Sequence, residues 1–388
     1  MRSSRRVLSI LLAFSLALAL PGTAWAGDPP TAPMATGLGE SPEVALPWDD
    51  AWFQEDPAQY NHDLALAAMV LSGGAYAGRG DGVREGLKRL GFHSLLSCNY
   101  HLCDEPDSNR AAYTFARKDL PNARLVAVIV RGTGEATEWA GNLNVGAGRD
   151  HAGFSQAGRE LLETLEKYLA GQQDRPLRFL VAGHSRGGAV ANLTAARLTE
   201  KTGGAVYAYT FAAPAVSLDG AEAGYENIFN LISAEDLVPQ LPLAQWGYRR
   251  YGVDLSLPDR AAWGAAYGGV FREMRRAFRT LTGQNYVSYR DPAAVERMVA
   301  IIARQAPAAS GGVTALLDAL LRGDYASLSG LTGPGGETAL ALGRTAVRLT
   351  AQLVPLLSQE REGLTCAHCM AGYYCWLTVW HGEEPPKK

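Results

Sequence analysis

The stretch LVAGHSRGGAVANL, residues 180–193, decides how the chain is expected to fold. Its centre is the pattern Gly-x-Ser-x-Gly around Ser185, with β-favouring residues before it and an alanine-rich helical pattern after it. A serine on such a sharp strand-to-helix turn is exposed, and glycines flank it because neighbouring backbone packs too close for a Cβ. The helix start also offers free N–H groups and a positive dipole end. The stretch therefore predicts a nucleophilic serine; an ordinary glycine-rich turn is the alternative.

Buried strands alternate with helices on both sides of Ser185. LVAVIV, residues 125–130, is a continuous apolar run of the β type. The patterns predict further strands over 111–117, 179–182, 206–211 and 228–232, and helices over 62–76, 154–169 and 186–198. Continuous apolar strands separated by helices are typical of a parallel sheet that is covered on both faces. The sequence therefore predicts an α/β domain.

Amphipathic helical patterns, broken at glycine and proline, fill residues 260–357. No strand pattern lies among them, so we expect a helical insertion. Its wide apolar faces need a partner surface. The insertion is expected either to cap the mouth of the active site or to support the edge of the sheet.

The first 26 residues have the layout of a secretory signal peptide: basic residues, an apolar core and a small-x-small end at Ala26. The pair Arg5-Arg6 hints at twin-arginine export. We therefore expect cleavage after Ala26 and a secreted or periplasmic protein. Residues 27–50 are rich in Pro, Gly and Ala, which predicts a flexible linker before a domain over 51–388.

Composition narrows the class of partner. The formal net charge of −3 argues against a nucleic-acid partner, because such proteins carry a basic surface. No stretch after residue 26 reaches about 18 uninterrupted apolar residues, so no transmembrane segment is expected in the mature chain. The oligomeric state stays open.

Five cysteines in an exported chain predict two disulfides and one remaining thiol. Cys98 is expected to pair with Cys103, because few residues separate them. Two of Cys366, Cys369 and Cys375 are expected to form the other disulfide. A zinc site made by these three cysteines and nearby histidines is the less favoured alternative.

A nucleophilic serine needs a histidine as base and an acid. In enzymes whose serine lies on a strand-to-helix turn of this kind, the acid follows the serine along the chain and the histidine follows the acid. Glu235 and Asp236 follow a predicted strand; Asp236 directly precedes a Leu-Val-Pro turn, whereas Glu235 could simply be solvated. Five of the seven histidines precede Asp236, which leaves His368 and His381. His381 lies in a polar tail, whereas His368 precedes an apolar aromatic run that can anchor it. We expect His368 to be the base.

Five motifs in this order resemble the class 3 lipase family, and its exported bacterial members most closely. They are RGT followed by GEATEWAGNLN, HAGF at 151–154, GHSRGGAVANL, DLVPQLP with GYRRYG, and HCMAGYY at 368–374. The resemblance runs from about residue 64 to residue 376. It implies an α/β-hydrolase fold with a mostly parallel central sheet, interrupted here by the helical insertion between acid and histidine.

The resemblance also implies hydrolysis of carboxylic esters, with Ser185 as nucleophile, Asp236 as acid and His368 as base. It assigns the oxyanion hole to the N–H groups of Thr133 and Arg186. No metal or cofactor is expected, and the expected partner is an ester or lipid substrate, at a lipid–water interface. Two alternatives keep the same fold: a catalytically silent scaffold that binds a lipid or partner, and an acyltransferase that excludes water.

Overall fold

The computed structural model describes residues 29–101, 110–133, 149–172, 174–202, 205–220, 224–306, 317 and 336–383. Its strands are β1 (Thr31–Pro33), β2 (Glu43–Ala45), β3 (His93–Cys98), β4 (Ala112–Asp119), β5 (Arg124–Arg131), β6 (Leu177–His184), β7 (Val206–Phe211), β8 (Ile228–Ile232) and β9 (Val253–Ser256). Strands β3 to β9 form one sheet in chain order. The β3–β4 and β4–β5 pairs are antiparallel, and the pairs from β5 to β9 are parallel.

The helices cover both faces of this sheet and continue beyond it. They are α1 (His62–Gly74), α2 (Asp81–Arg89), α3 (Ala152–Tyr168), α4 (Arg186–Thr202), α5 (Arg260–Trp263), α6 (Tyr267–Thr282), α7 (Ala294–Gln305), α8 (Gly336–Gln359), α9 (Arg361–His368) and α10 (Met370–Val379). Every strand and helix predicted around Ser185 is present, with ends that differ by a few residues.

Strand β5 is buried along its whole length, and its side chains alternate between two cores. Leu125 and Ile129 belong to the core on the side of α1, whereas Val126 and Val128 belong to the core with α3 and α4. Successive side chains of a strand point to opposite faces, so a strand covered on both faces is apolar throughout. This arrangement confirms the predicted α/β fold with a mostly parallel sheet.

The flexible linker expected over residues 27–50 is wrong for its described part. Strands β1 and β2 pair there as a short antiparallel sheet. Met34 and Leu46 are completely buried in the core. Gly73 of α1 makes room for the Met34 side chain, which a Cβ on that glycine would strike. The segment is thus packed onto the domain, because a few spaced apolar residues find pockets that its composition does not reveal.

The region expected to be a helical insertion contains α5, α6, α7 and α8 in its described parts. Helix α6 packs against α10, which begins two residues after His368, and α7 packs against α8. In the first of these contacts the ring of Phe271 stacks on that of Trp376, with 6.0 Å between centroids. The insertion is therefore attached to the C-terminal segment that carries the expected base.

The proposed signal peptide, residues 1–26, lies outside the described residues. Across the described part of the chain, no helix is long and apolar enough to cross a bilayer.

Candidate active site

Ser185 lies at the sharp turn between β6 and α4. Its φ is 57°, in the left-handed region that residues other than glycine rarely adopt. The backbone is crowded there: a Cβ on Gly183 would strike the carbonyl of Gly187, and a Cβ on Gly187 would strike the carbonyl of Val130 in β5. The spacing Gly-x-Ser-x-Gly is therefore needed for close packing of three backbone segments, and the strained turn presents the serine hydroxyl.

Two hydrogen bonds connect Ser185 to Asp236 through His368. The distance from His368 Nε2 to Ser185 Oγ is 2.9 Å, and that from His368 Nδ1 to Asp236 Oδ2 is 2.8 Å. A carboxylate that accepts from Nδ1–H leaves Nε2 able to accept the serine proton. The structure thus brings together the three side chains that the sequence selects, from the ends of β6, β8 and α9.

Asp236 is almost completely buried, and both of its carboxylate oxygens accept hydrogen bonds. The Tyr373 hydroxyl donates to Oδ2 at 2.9 Å, and the N–H of Val238 donates to Oδ1 at 3.0 Å. The Tyr373 oxygen also accepts from the N–H of Ser233 at 3.2 Å. Burial and the charge of Asp236 raise the pKa of Tyr373 well above its ordinary value, so the phenol stays a donor. The sequence shows Tyr373 only as part of the aromatic run after His368, and no pattern in it signals this contact.

His184, which chain order excludes as the base, links the serine turn to the histidine turn. Its Nε2–H donates to the backbone carbonyl of His368 at 2.9 Å, and its Nδ1 lies 3.2 Å from the Tyr76 hydroxyl. Complete burial lowers the pKa of His184 well below its ordinary value, and the neighbouring His368 adds to this shift. The neutral ring can accept from Tyr76 while it donates to His368, which suits a fixed structural link.

The two residues expected to form an oxyanion hole lie on either side of this turn. Arg186 is the first residue of α4, where backbone N–H groups lack helical partners. Thr133 lies two residues after the end of β5 at Arg131, and Gly132 is between them. A Cβ on Gly132 would strike the Tyr76 hydroxyl and the His184 carbonyl, so this loop touches the serine turn directly. The motif GEATEWAGNLN, which begins directly after Thr133, lies outside the described residues.

Comparison with known proteins finds similarity in the part of the chain around Ser185 and Asp236. Residues 127–246, from β5 to the loop after Asp236, match the family model described as lipase (class 3). A secreted mono- and diacylglycerol lipase 1 from Fusarium solani is 33% identical over 145 residues. Over these matched residues the chain is similar to the class 3 lipase family. The alignment covers 33% of this chain and 43% of the Fusarium protein, so the chain matches under half of that relative's length.

Solved fungal lipases are similar to part of this chain. The triacylglyceride lipase of Rhizomucor miehei is 21% identical, covering 51% of this chain and 80% of that one, with a TM-score of 0.36. Lipase II from Rhizopus niveus is 16% identical, covering 55% and 83%, with a TM-score of 0.39. The similarity to the class 3 lipase family rests on the sequence match over residues 127–246 and not on these superpositions.

The disulfide expected among the three C-terminal cysteines is not formed: Cys366, Cys369 and Cys375 are free thiols. Cys369 instead caps the start of α10, where its Sγ accepts from the N–H of Gly372 at 3.3 Å. Burial raises the pKa of Cys369 to about 12 and also raises that of Cys375. Neutral thiols in a packed helix junction account for these cysteines in the structure.

The other cysteine expectations have different outcomes. Cys98 is a free thiol at the end of β3, and its expected partner, Cys103, lies outside the described residues, so that pairing stays a prediction. In the ranges that the structure describes, no group of three or more His, Cys, Asp or Glu side chains could hold a metal ion. The zinc alternative therefore gains no support from these residues.

Proposed function

We propose that the chain is a serine hydrolase of lipid esters that uses Ser185, His368 and Asp236 as its catalytic triad. The observation that supports this most directly is the hydrogen-bonded line from Ser185 Oγ through both ring nitrogens of His368 to Asp236. Ordinary glycine-rich turns do not need a strained serine, a histidine and a buried carboxylate in one line. The match of residues 127–246 to the class 3 lipase family supports the same chemistry.

In the proposed reaction, Ser185 Oγ attacks the acyl carbonyl while His368 Nε2 takes the hydroxyl proton. Asp236 keeps its negative charge beside Nδ1–H and so stabilises the imidazolium that forms. The negative oxygen of the tetrahedral intermediate accepts from the N–H groups of Arg186 and Thr133. His368 then gives its proton to the leaving alcohol, and a water molecule, deprotonated by His368, cleaves the acyl-enzyme.

For the substrate we propose a glyceride or a related lipid ester at a lipid–water interface. The Fusarium relative is named a secreted mono- and diacylglycerol lipase, which supports both this substrate class and export. We further propose that export uses the first 26 residues as a signal peptide that is cleaved after Ala26. Acyl chain length and head group stay open.

Labelling with a fluorophosphonate probe tests the nucleophile. The Ser185→Ala variant should lose labelling and several orders of magnitude of kcat, in the range of about 10⁶-fold seen when such a serine is removed. Ser358→Ala, at an exposed serine of α8, is the matched control and should behave as the parent. Activity of Ser185→Ala within about tenfold of the parent would refute the assignment.

The same assay separates the alternatives. A silent scaffold would neither react with the probe nor hydrolyse p-nitrophenyl esters or emulsified glycerides. An acyltransferase would label at Ser185 but pass the acyl group to an added alcohol in preference to water. Hydrolysis of both soluble esters and emulsified glycerides is the result that we expect.

A further inference from the structure

The helical insertion contacts the loop that carries the acid, immediately before Asp236. The Tyr289 hydroxyl, between α6 and α7, donates to the backbone carbonyl of Glu235. The Tyr267 hydroxyl, at the start of α6, donates to Glu235 Oε1 at 2.9 Å. Glu235 is therefore bonded to the insertion through both its backbone and its side chain, and is not the freely solvated residue that its position in the sequence suggested.

The same part of the insertion also contacts the segment that carries the base. The ring of Tyr267 lies 6.2 Å from that of Trp376 in α10. Next to Tyr289, the N–H of Arg290 donates at 2.7 Å to Glu360, a buried residue just before α9. Helix α9 ends at His368. Tyr267 therefore contacts both the acid loop and the helix after His368, and Tyr289 contacts the acid loop while its neighbour Arg290 bonds to the residue before α9.

The surroundings of the Glu235 side chain explain why its hydrogen bonds to the insertion matter for its position. Burial raises the pKa of Glu235, whereas the Tyr267 hydrogen bond and the positive charge of Arg260 favour its ionised form; Asp259 and Glu296 oppose ionisation. A partly buried carboxyl group that loses a donor must find another partner or move. Because Asp236 is the next residue, such a movement would be passed directly to the acid of the proposed triad.

We propose that Tyr289 and Tyr267 are positioning residues that hold Asp236 in register with His368, so that the helical insertion is a working part of the active site. This inference rests on the proposed ester hydrolase function. The imidazole can face Ser185 only while Asp236 holds Nδ1–H, and a misplacement of about 1 Å can reduce the rate about 100-fold. Among the described residues, neither tyrosine hydroxyl has a hydrogen bond to Ser185, His368 or Asp236, so each hydroxyl acts through its bond to Glu235.

Removal of single hydroxyl groups tests this role. Tyr289→Phe and Tyr267→Phe keep each ring in place and delete one donor to Glu235. Tyr286→Phe is the matched control: Tyr286 is a buried tyrosine of the same insertion, packed edge-on against Phe278, without a hydrogen bond to the acid loop in the described part of the chain. With a soluble p-nitrophenyl ester we expect kcat to fall at least about tenfold in the first two variants, with KM within about twofold.

A second measurement separates positioning from mere support of the fold. The Nδ1–H proton of His368, held by Asp236, should give a far-downfield ¹H resonance that needs no substrate. We expect this resonance to shift or broaden in Tyr289→Phe and Tyr267→Phe and to be unchanged in Tyr286→Phe. Glu235→Gln, which keeps a carbonyl oxygen for Tyr267, should retain kcat within about threefold, whereas Glu235→Ala should match Tyr267→Phe.

The outcomes distinguish this inference from the proposed function. If the parent protein hydrolyses esters through Ser185 but Tyr289→Phe and Tyr267→Phe match Tyr286→Phe in both kcat and the downfield resonance, the positioning role is wrong and the function stands. If the parent protein does not react, the proposed function fails. In that case the resonance alone still decides whether the tyrosines hold Asp236 against His368.

Discussion

Tyr373→Phe removes one oxygen atom from the most deeply buried part of the site. That oxygen donates to Asp236 Oδ2 at 2.9 Å and accepts from the N–H of Ser233 at 3.2 Å. Loss of a hydrogen bond to a charged group costs about 1.5–3 kcal/mol, and a buried N–H left without a partner costs about 1–3 kcal/mol. We therefore expect the free energy of unfolding to fall by about 2.5–6 kcal/mol, with the ring itself still packed.

Activity should fall as well, because Asp236 Oδ2 is the oxygen that also accepts from His368. With one donor gone, the carboxylate is less firmly oriented, and we expect kcat to decrease about 10-fold to 100-fold with little change in KM. Urea unfolding measures the first effect, and initial rates with a soluble p-nitrophenyl ester measure the second.

Tyr374→Phe is the control for both measurements, since the adjacent tyrosine of α10 has no hydrogen bond to the acid loop among the described residues. It should change the free energy of unfolding by less than about 1 kcal/mol and leave kcat unaltered. If Tyr373→Phe were as stable and as active as Tyr374→Phe, the hydroxyl would not be what secures the buried carboxylate, and the reasoning above would be refuted.

His368→Ala should abolish ester hydrolysis, whereas His381→Ala should leave the rate of hydrolysis nearly unchanged in the same assay. The reverse pattern would overturn the proposed triad. Gly187→Ala should lower the free energy of unfolding, measured in urea, by at least about 2 kcal/mol, because its Cβ would strike the Val130 carbonyl; an unchanged midpoint would contradict the packing. Because burial raises the pKa of Glu235 above its ordinary value of 4.5, the native state binds the proton more tightly than the unfolded chain, and this residue lowers stability as pH rises above about 4.5. Glu235→Gln should therefore gain stability at neutral pH relative to the parent, a gain that should vanish below about pH 4 in unfolding curves measured at both pH values; an equal gain at both would count against the raised pKa.

The strands near Ser185 could be predicted because burial on both faces leaves an unbroken apolar run in each of them. The edge strands β3 and β9 could not. Most of their residues are exposed or only partly buried, and β3 has a register shift between His93 and Leu96. A short strand with one neighbour is defined by its backbone pairing, and such pairing leaves little pattern in the sequence.

In the candidate site, too, some residues could be predicted from the sequence and others could not. Ser185 and its glycines form a local turn whose geometry a short pattern can specify, and the order of acid and histidine along the chain then selects Asp236 and His368. The donors that surround Asp236 follow no such rule. Tyr373 comes from a helix that the sequence identified only as an aromatic run, so its contact with Asp236 depends on how that helix packs.

The long interval between Asp236 and His368 separates residues that the sheet topology places from a residue that it does not place. Ser185, Asp236 and Thr133 follow parallel strands, whose carboxyl ends lie at one edge of the sheet, so their proximity needs only the predicted topology. His368 is instead the last residue of helix α9, and its Nδ1 lies 2.8 Å from Asp236 Oδ2. The helix that follows, α10, packs against α6 of the insertion. If His368 is the base, as proposed, we expect catalysis to need a folded insertion, whatever the insertion contributes to substrate binding.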